Sequence, residues 1–178
     1  KSFLFINILR ASVNKNRFTV CNGGSSTMKI EDGATIEGLL CQNGNVTING
    51  GDITNVFGGN DQAGSHTYTN EVYLRGGIVE NAFGGGNQSS VTTTHVYLQG
   101  ATVNTIYGGS NLLGSVTTSK VNLTSGTAAT VFGGNNEGGS CATTNVTVNG
   151  ASITSSIYGG GNEVNTTTSN VTLTSSPS

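Results

Sequence analysis

Charge is scarce in this chain: lysine, arginine, aspartate and glutamate make up only 9% of its 178 residues. The net charge of -2 does not supply the basic surface that nucleic-acid binding requires, so we expect no nucleic-acid partner. Leucine, glutamate, lysine and arginine, which form helices well, are also rare, and this argues against a helical fold.

Clustered carboxylates are lacking as well, because the nine acidic residues are scattered along the sequence. General acid-base catalysis and metal binding both need such clusters, and we therefore predict no enzyme activity and no cofactor or metal. The glycines at 84–86 lack the Lys-Ser/Thr ending of a phosphate-binding loop. The apolar stretch at residues 2–9 is too short and too interrupted for a membrane helix, so no membrane insertion is expected.

What the chain does have is 28 glycines and a recurring aromatic-Gly-Gly signature. The aromatic positions are separated by 26, 24, 25 and 26 residues, a period typical of stacked repeats. We expect these side chains to close the core at a glycine corner of each repeat. They are Phe57, Phe83, Tyr107, Phe132 and Tyr158.

A second signature, Val-x-Leu, keeps the same phase from Val46 to Leu173. Its apolar residues alternate with a variable position, which indicates a strand with one face inward. Two short strands and two glycine-rich corners fit one turn of a parallel β-helix. The sequence therefore predicts an all-β, single-stranded parallel β-solenoid, right-handed, with about 25 residues per coil and about five regular coils.

The repeat pattern divides the chain into three parts. Residues 1–20 form a non-repeat apolar strand or cap, and 21–45 are predicted as irregular first coils. The regular solenoid is predicted over 46–178. One coil alone cannot offset its ordering entropy, so the repeats are expected to be stable only as a stack.

An asparagine follows most of the aromatic residues four positions later. Identical amides stacked one strand spacing apart can hydrogen-bond to one another, and we predict a structural ladder of this kind. A cation site would need more carboxylates than the single Asp61 that begins the series. The ladder residues are Asn87, Asn111, Asn136 and Asn162.

In every complete coil a threonine also precedes the valine of Val-x-Leu by three residues, and alternation predicts that it faces outward. A ranked threonine array is typical of ice-binding solenoids, whereas a β-branched ladder that only stabilises the strands is the simpler alternative. Glu71, His95 and Lys120 share a neighbouring outward column beside Tyr73 and Tyr97, where two stacked rings could hold a sugar. The threonines are Thr69, Thr93, Thr118, Thr143 and Thr168.

The two ends of the sequence depart from the repeat. Residues 2–9 are apolar on both faces of an extended strand, and Val171 and Leu173 belong to a coil without a second strand. Open solenoid ends expose core and unpaired edges, so we expect residues 2–9 of one subunit to complete a neighbour, with head-to-tail growth of a homopolymer. The N-terminal assembly residues are Phe3, Leu4, Phe5, Ile6, Ile8 and Leu9.

The three cysteines suggest one disulfide and one remaining thiol. Cys21 and Cys41 both lie in the irregular first coils and are predicted to form the disulfide. Cys141 shares a column with Val91 and Val116, yet alternation favours partial exposure of its thiol.

From about residue 46 onward the repeat, written Gly-Gly-x-Ile-x-x-Val-Phe-Gly-Gly-Asn over 50–60, resembles the Gly-, Asn- and Thr-rich parallel β-solenoid repeats of bacterial secreted and cell-surface proteins, including adhesin stalks. The resemblance implies an extracellular structural or adhesive role. We therefore expect an extracellular structural protein that forms filaments or surface fibres, with an ice-binding surface or a carbohydrate-binding adhesin module as alternatives.

Overall fold

The computed structural model describes the backbone of residues 5–8, 12–13, 18–20, 26–42 and 44–174, and the side chains of 28–36, 41, 44–65 and 69–174. All regular structure in these ranges is β-strand, which confirms the all-β prediction. The strands are β1 (Phe5–Ile8), β2 (Ser12–Val13), β3 (Phe18–Val20), β4 (Ser26–Ile30), β5 (Thr35–Gln42), β6 (Gly44–Ile48), β7 (Asp52–Phe57), β8 (Ser65–Leu74), β9 (Ile78–Phe83), β10 (Ser90–Tyr107), β11 (Ser115–Phe132), β12 (Ser140–Val148), β13 (Ser152–Tyr158) and β14 (Thr166–Leu173).

The strands stack in two parallel columns that together form the solenoid. In the first column β1, β4, β6, β8, β10, β11, β12 and β14 follow one another, each paired in parallel with the next. In the second column β2 and β3 both pair with β5, and β7, β9, β10, β11 and β13 continue the stack. The long strands β10 and β11 contribute to both columns, so the chain passes from one column to the other within a single strand.

Alternation in the Val-x-Leu strands places their apolar residues in the interior. Val96 and Leu98 are fully buried, while Tyr97 between them is half-buried on the outer face. Equivalent residues of successive coils lie in register, as Val96 does with Val72 and Val121. Residues of both columns meet in one continuous core that runs from Met28 to Val146. The core therefore consists of equivalent layers stacked along the solenoid axis, and each layer is buried by the coils on either side of it.

The N-terminal strand β1 is part of this stack, because it pairs in parallel with β4 in the first column. Ile6 lies in register with Met28, and Met28 with Val46. These partners are separated by 22 and 18 residues in sequence, fewer than the 24 to 26 of the regular coils. The shorter steps hide the pattern in the sequence, although the strands keep the same column. Phe3, Leu4 and Leu9 lie outside the described residues.

A third set of contacts stacks the corner segments that follow the aromatic residues. The Gly84 amide donates to the Tyr107 carbonyl and the Gly85 amide to the Gly109 carbonyl, each over 2.9 Å. Similar bonds join the later corners of the regular coils. The glycine pairs thus bring backbone directly against backbone in successive coils, as the sequence predicted for corners.

Four of the aromatic residues, Phe57, Phe83, Tyr107 and Phe132, are buried in a cluster of their own instead of in the main core. Each follows a core residue of the second column, as Phe57 follows Val56, and therefore points to the opposite face of its strand. Ring centroids of successive coils are 4.6 to 5.1 Å apart and the rings are nearly parallel. Cys41 lies in register with Phe57 and is buried at the start of the same cluster.

Cys141 is buried, and the prediction of a partly exposed thiol was wrong. The strand bends between Val91 and Thr93, where its register to β8 shifts, so alternation counted back from Val96 does not hold beyond the bend. Cys141 pairs with Val116 on the inner side of this bend, and both are 1% exposed. Burial raises the pKa of the Cys141 thiol to about 12, so it is un-ionised at neutral pH. Cys21 lies outside the described residues, and its pairing with Cys41 stays a prediction.

Candidate functional site

The most chemically varied surface lies on the outer face of the first column, across β8, β10 and β11. We call it the tyrosine patch, and it consists of Glu71, Tyr73, Arg75, His95, Tyr97, Gln99 and Lys120. Parallel pairing in register brings these residues together, because His95 lies opposite Glu71 on one side and Lys120 on the other. Tyr97 lies opposite Tyr73 in the next outward position.

Short polar contacts hold the tyrosine patch in one arrangement. The rings of Tyr73 and Tyr97 are stacked 4.7 Å apart at an angle of 7°. Nδ1 of His95 lies 2.8 Å from the Tyr97 hydroxyl and 3.8 Å from Oε1 of Glu71. The Arg75 guanidinium carbon is 5.1 Å from the centre of the Tyr73 ring, and Arg75 Nε donates to Gln99 Oε1 over 3.2 Å. These contacts connect the patch residues of β8 and β10, and Lys120 of β11 lies opposite His95 in the register.

The electrostatics of the patch keep its aromatic groups uncharged at neutral pH. Burial, followed by a hydrogen bond to Glu71, raises the pKa of Tyr73 to about 12. Burial and the nearby Lys120 charge lower the pKa of His95, and the Glu71 carboxylate opposes them only in part. His95 is therefore a neutral imidazole at pH 7, and its Nε2 is buried without a hydrogen-bond partner among the described residues.

These groups do not assemble into a recognisable catalytic set. The register neighbours of Glu71 are Asn45 and His95, so the patch contains one carboxylate and no second acid beside it. The tyrosines stack on one another, and the outer positions of the pair are occupied by Thr47 and Asn122 in the adjoining strands. One face of each tyrosine ring is thus covered by the other ring. A carbohydrate site at Tyr73 and Tyr97 stays a prediction.

The threonine column runs in register from Thr69 to Thr168. Thr93, Thr118 and Thr143, which have a threonine partner on both sides, are half-buried, and the two end members are exposed. Next to the bend a shallow polar groove of about 290 Å³ crosses three coils. Its lining residues are Ser65, Ser90, Val91, Thr92, Ser115 and Thr117. The threonines are aligned along the solenoid axis, and ice binding stays a prediction.

The asparagine ladder is present as a chain of side-chain hydrogen bonds that run in one direction. Asn162 donates to Asn136, Asn136 to Asn111, Asn111 to Asn87 and Asn87 to Asp61, over 3.0, 2.8, 2.9 and 2.8 Å. Each Nδ2 points to the preceding coil and each Oδ1 to the following one. The ladder begins on the Asp61 carboxylate, a charged acceptor and therefore a strong one, and its last member, Asn162, is exposed.

The face at the C-terminal side of the stack, which we call the C-terminal face, exposes core residues. It is formed by β13 and β14. Val171 is 45% and Leu173 69% exposed, whereas their register partners Val146 and Val148 are buried and half-buried. Tyr158, the last ring of the aromatic stack, is 49% exposed. Residues in core positions are therefore exposed on this face, and among the described residues no polar segment covers them.

One buried polar column was missed in the sequence. It lies two residues before the Val-x-Leu valine and consists of Asn70, Thr94, Ser119 and Thr144, while the next register position, Ser169, is exposed. Thr94, Ser119 and Thr144 donate their hydroxyls to the carbonyls of Gly108, Gly133 and Gly159. The hydroxyls therefore hold the glycine corners to the first column. The sequence signal for this column was a serine or threonine that recurs two residues before the valine, at an inward-facing position.

Asn70 interrupts this column, and we expect its replacement by threonine to stabilise the protein. Its side chain is fully buried, and neither Nδ2 nor Oδ1 has a hydrogen-bond partner among the described residues. Gly58 lies between Asn70 and the Gly84 carbonyl, the equivalent of the carbonyl that Thr94 binds. Asn70→Thr should raise the free energy of unfolding by about 1 to 2 kcal/mol, because it removes unpartnered polar atoms and supplies a hydroxyl.

Urea unfolding monitored by circular dichroism measures this effect. Thr94→Val is the matched control, and it should lower the free energy of unfolding by about 1 to 3 kcal/mol because it leaves the Gly108 carbonyl without its donor. An Asn70→Thr variant that is less stable than the wild type would show that Asn70 is satisfied.

Neither a metal centre nor a membrane-spanning helix emerges from the described part of the chain. Within it, three or more His, Cys, Asp or Glu residues never come together in a way that could hold a metal ion. The same ranges contain no helix of sufficient length and apolar character to cross a membrane. No family model, no curated protein and no solved structure matches this chain. The fold alone therefore defines its class, which is the parallel β-solenoid.

Proposed function

We propose that this protein is an extracellular structural element that assembles end to end with copies of itself into a filament or surface fibre. The exposed core layer on the C-terminal face is the observation that carries the proposal. The tyrosine rings stack on each other and the ladder asparagines hydrogen-bond to one another, so both sets of side chains make their contacts within the chain's own ladders. The C-terminal face is the end of the described stack at which residues of the core columns are exposed.

Burial of that face by another coil is favourable. Val171 and Leu173 would each contribute about 1.5 to 3 kcal/mol if a further layer covered them as fully as their equivalents are covered inside the stack. The free edges of β13 and β14 would gain parallel hydrogen bonds at the same time. Each regular coil already pairs with the next in this way. A second copy that places a matching strand on this face would therefore continue the same parallel stack.

The extracellular setting is supported by the resemblance of the repeat to secreted and cell-surface solenoids and by the low charge of the chain. A carbohydrate-binding role is supported less, because one face of each tyrosine ring is covered by the other ring. For an ice-binding role the half-buried state of the three middle threonines is less favourable.

The proposal predicts that Leu173→Lys abolishes self-association. A lysine at this position places a charge in the layer that the next copy must cover, and its desolvation opposes the contact. In sedimentation velocity the wild-type protein should form species that grow with concentration, whereas Leu173→Lys should remain monomeric. Circular dichroism should show the same β content for both.

Thr172→Lys is the matched control, because it adds the same charge one residue away. Its register partners Thr147 and Asn122 lie in the outward position of the column, so we expect this variant to associate like the wild type. A wild-type protein that is monomeric at all concentrations, or two lysine variants with equal effects, would contradict assembly through the C-terminal face.

A further inference from the structure

We infer that the outer face of the first column binds a linear acidic polysaccharide that carries one negative charge per disaccharide and runs along the solenoid axis. We call this surface the cationic face, and its cations are Lys29, Arg75 and Lys120. The inference goes beyond the proposed function and does not depend on it, because the cationic face lies on the side of the solenoid and belongs to a single copy.

All lysine and arginine side chains that the structure describes lie on this face. Lys29 belongs to β4, Arg75 directly follows β8 and Lys120 belongs to β11, and all three side chains are exposed. Among the described residues, Lys29 and Lys120 form no ion pair. Arg75 uses only its Nε in a hydrogen bond, as donor to Gln99. The charges of the three cations are therefore available to a ligand.

The acidic residues beside these cations are half-buried and already bound to donors of the chain. Glu71 accepts the hydroxyl of Tyr73 and lies 3.8 Å from Nδ1 of His95. Both carboxylate oxygens of Glu31, at the end of β4, accept Nδ2 of Asn49 over 3.0 and 3.1 Å. Exposed acids instead occur on other sides of the solenoid, namely Asp52 and Glu80 in the second column and Glu137 and Glu163 in the corner segments. The cationic face thus presents positive charge to solvent on a chain whose net charge is -2.

The three cations recur at every second strand of the first column. Only β6 lies between β4 and β8, and only β10 lies between β8 and β11. Successive cations are therefore two strand spacings apart, about 9.6 Å along the axis. The Arg75 guanidinium carbon lies 5.1 Å from the centre of the Tyr73 ring, which occupies the same register column as Lys29. Lys120 is one outward position away, so the charged groups form a narrow row along the axis.

The wide spacing of this row favours a sparsely charged polymer. Double-stranded DNA carries one charge per about 1.7 Å, and three cations at this spacing neutralise only a small part of it. A β-linked polysaccharide of alternating neutral and acidic sugars carries one charge per disaccharide, a length close to two strand spacings. Electrostatic complementarity of this kind selects the partner and its orientation.

Polar side chains between the cations match the hydroxyl groups of such a polymer. Asn45 of β6 and Tyr97 of β10 are half-buried, and Gln99 of β10 is exposed. Their amide and hydroxyl groups can donate and accept hydrogen bonds. Binding by charge and hydrogen bonds does not require a sugar to stack on a tyrosine ring, so the mutual stacking of Tyr73 and Tyr97 does not oppose it.

Titration calorimetry with a hyaluronan octasaccharide tests the inference, because this polymer carries one carboxylate per disaccharide. At low salt we expect the wild-type protein to bind it, and to bind the same octasaccharide with its carboxylates reduced to alcohols about tenfold or more weakly. The double variant Lys29→Gln with Lys120→Gln should lower the affinity for the carboxylated octasaccharide by about tenfold, because two exposed charge pairs are lost.

Thr102→Glu with Thr154→Glu is the matched control. It changes the net charge by the same two units, but at exposed positions of the second column. We expect its affinity for the octasaccharide to stay within about twofold of the wild type, because these positions lie away from the cationic face. Circular dichroism should show the same β content for both double variants.

Equal losses from the two double variants would show that only the overall charge matters and would overturn the inference. Equal affinity for the carboxylated and the reduced octasaccharide would overturn it as well. Tighter binding of poly-L-glutamate than of the octasaccharide would contradict a polysaccharide as the ligand. A wild-type protein that binds no octasaccharide would refute the site and leave the proposed function intact, since that function is tested by self-association.

Discussion

Gly109→Ala is expected to lower the free energy of unfolding by about 3 kcal/mol, although it adds only one methyl group. A Cβ at this position would meet the Asn135 Oδ1 atom and would lie 2.9 Å from the Asn135 nitrogen and 3.0 Å from the Gly134 carbonyl carbon. The Asn135 side chain cannot move aside freely, because its Oδ1 accepts the Ser110 amide and its Nδ2 donates to the Gly138 carbonyl. The two coils must therefore separate at this corner.

Gly160→Ala is the control for this effect. Gly160 occupies the same column, since the Gly109 amide donates to the Gly134 carbonyl and the Gly134 amide to the Gly160 carbonyl. Its Cβ would meet nothing closer than the Thr166 hydroxyl at 3.5 Å. We expect a change within about 1 kcal/mol, and a small gain is compatible with the reduced freedom of the unfolded chain. Equal losses from the two substitutions in urea unfolding would show that the glycines do not serve coil stacking.

Leu98→Ala is expected to cost about 2 to 5 kcal/mol. Leu98 is fully buried between Leu74 and Leu123 of the adjoining coils, so its removal leaves a cavity in the continuous core. Because stability in a solenoid depends on contacts between neighbours, a defect in the middle weakens the interfaces on both sides. The measurement is chemical unfolding at a concentration at which the protein is monomeric.

Leu173→Ala is the corresponding change in the same column at the C-terminal face. Leu173 is 69% exposed, and its truncation should cost less than about 1 kcal/mol in the monomer. A Leu173→Ala variant that loses as much stability as Leu98→Ala would show that the face is covered within a single chain. That result would remove the main support for end-to-end assembly.

The repeated parts of the fold could be predicted from the sequence because each repeat carries the same residue pattern. Val96 and Leu98 alternate with outward residues, and Asn87 and Asn111 recur at the coil period, so strands, columns and the amide ladder could all be predicted. Repetition also allowed the tyrosine patch to be located, since Tyr73 and Tyr97 occupy the same repeat position.

Other features depended on local geometry that periodicity does not carry. Alternation from Val96 fails beyond the bend at Thr93, so the burial of Cys141 could not be predicted. The strand at Ile6 was not recognised as the first rung because its coil is shorter than the later ones. The lack of a hydrogen-bond partner for the Asn70 amide among the described residues can be recognised only from the structure, which gives the position of the neighbouring glycine carbonyl. The function is the least predictable property from the sequence. The repeated residues stabilise the stacked coils, so their recurrence does not indicate a ligand.

Negative-stain electron microscopy of the purified wild-type protein tests the central claim most directly. At low salt and increasing concentration the structure predicts unbranched fibres of uniform width, and Leu173→Lys on the same grid conditions should give only short separate particles. Wild-type particles that remain single and short at every concentration would contradict end-to-end assembly.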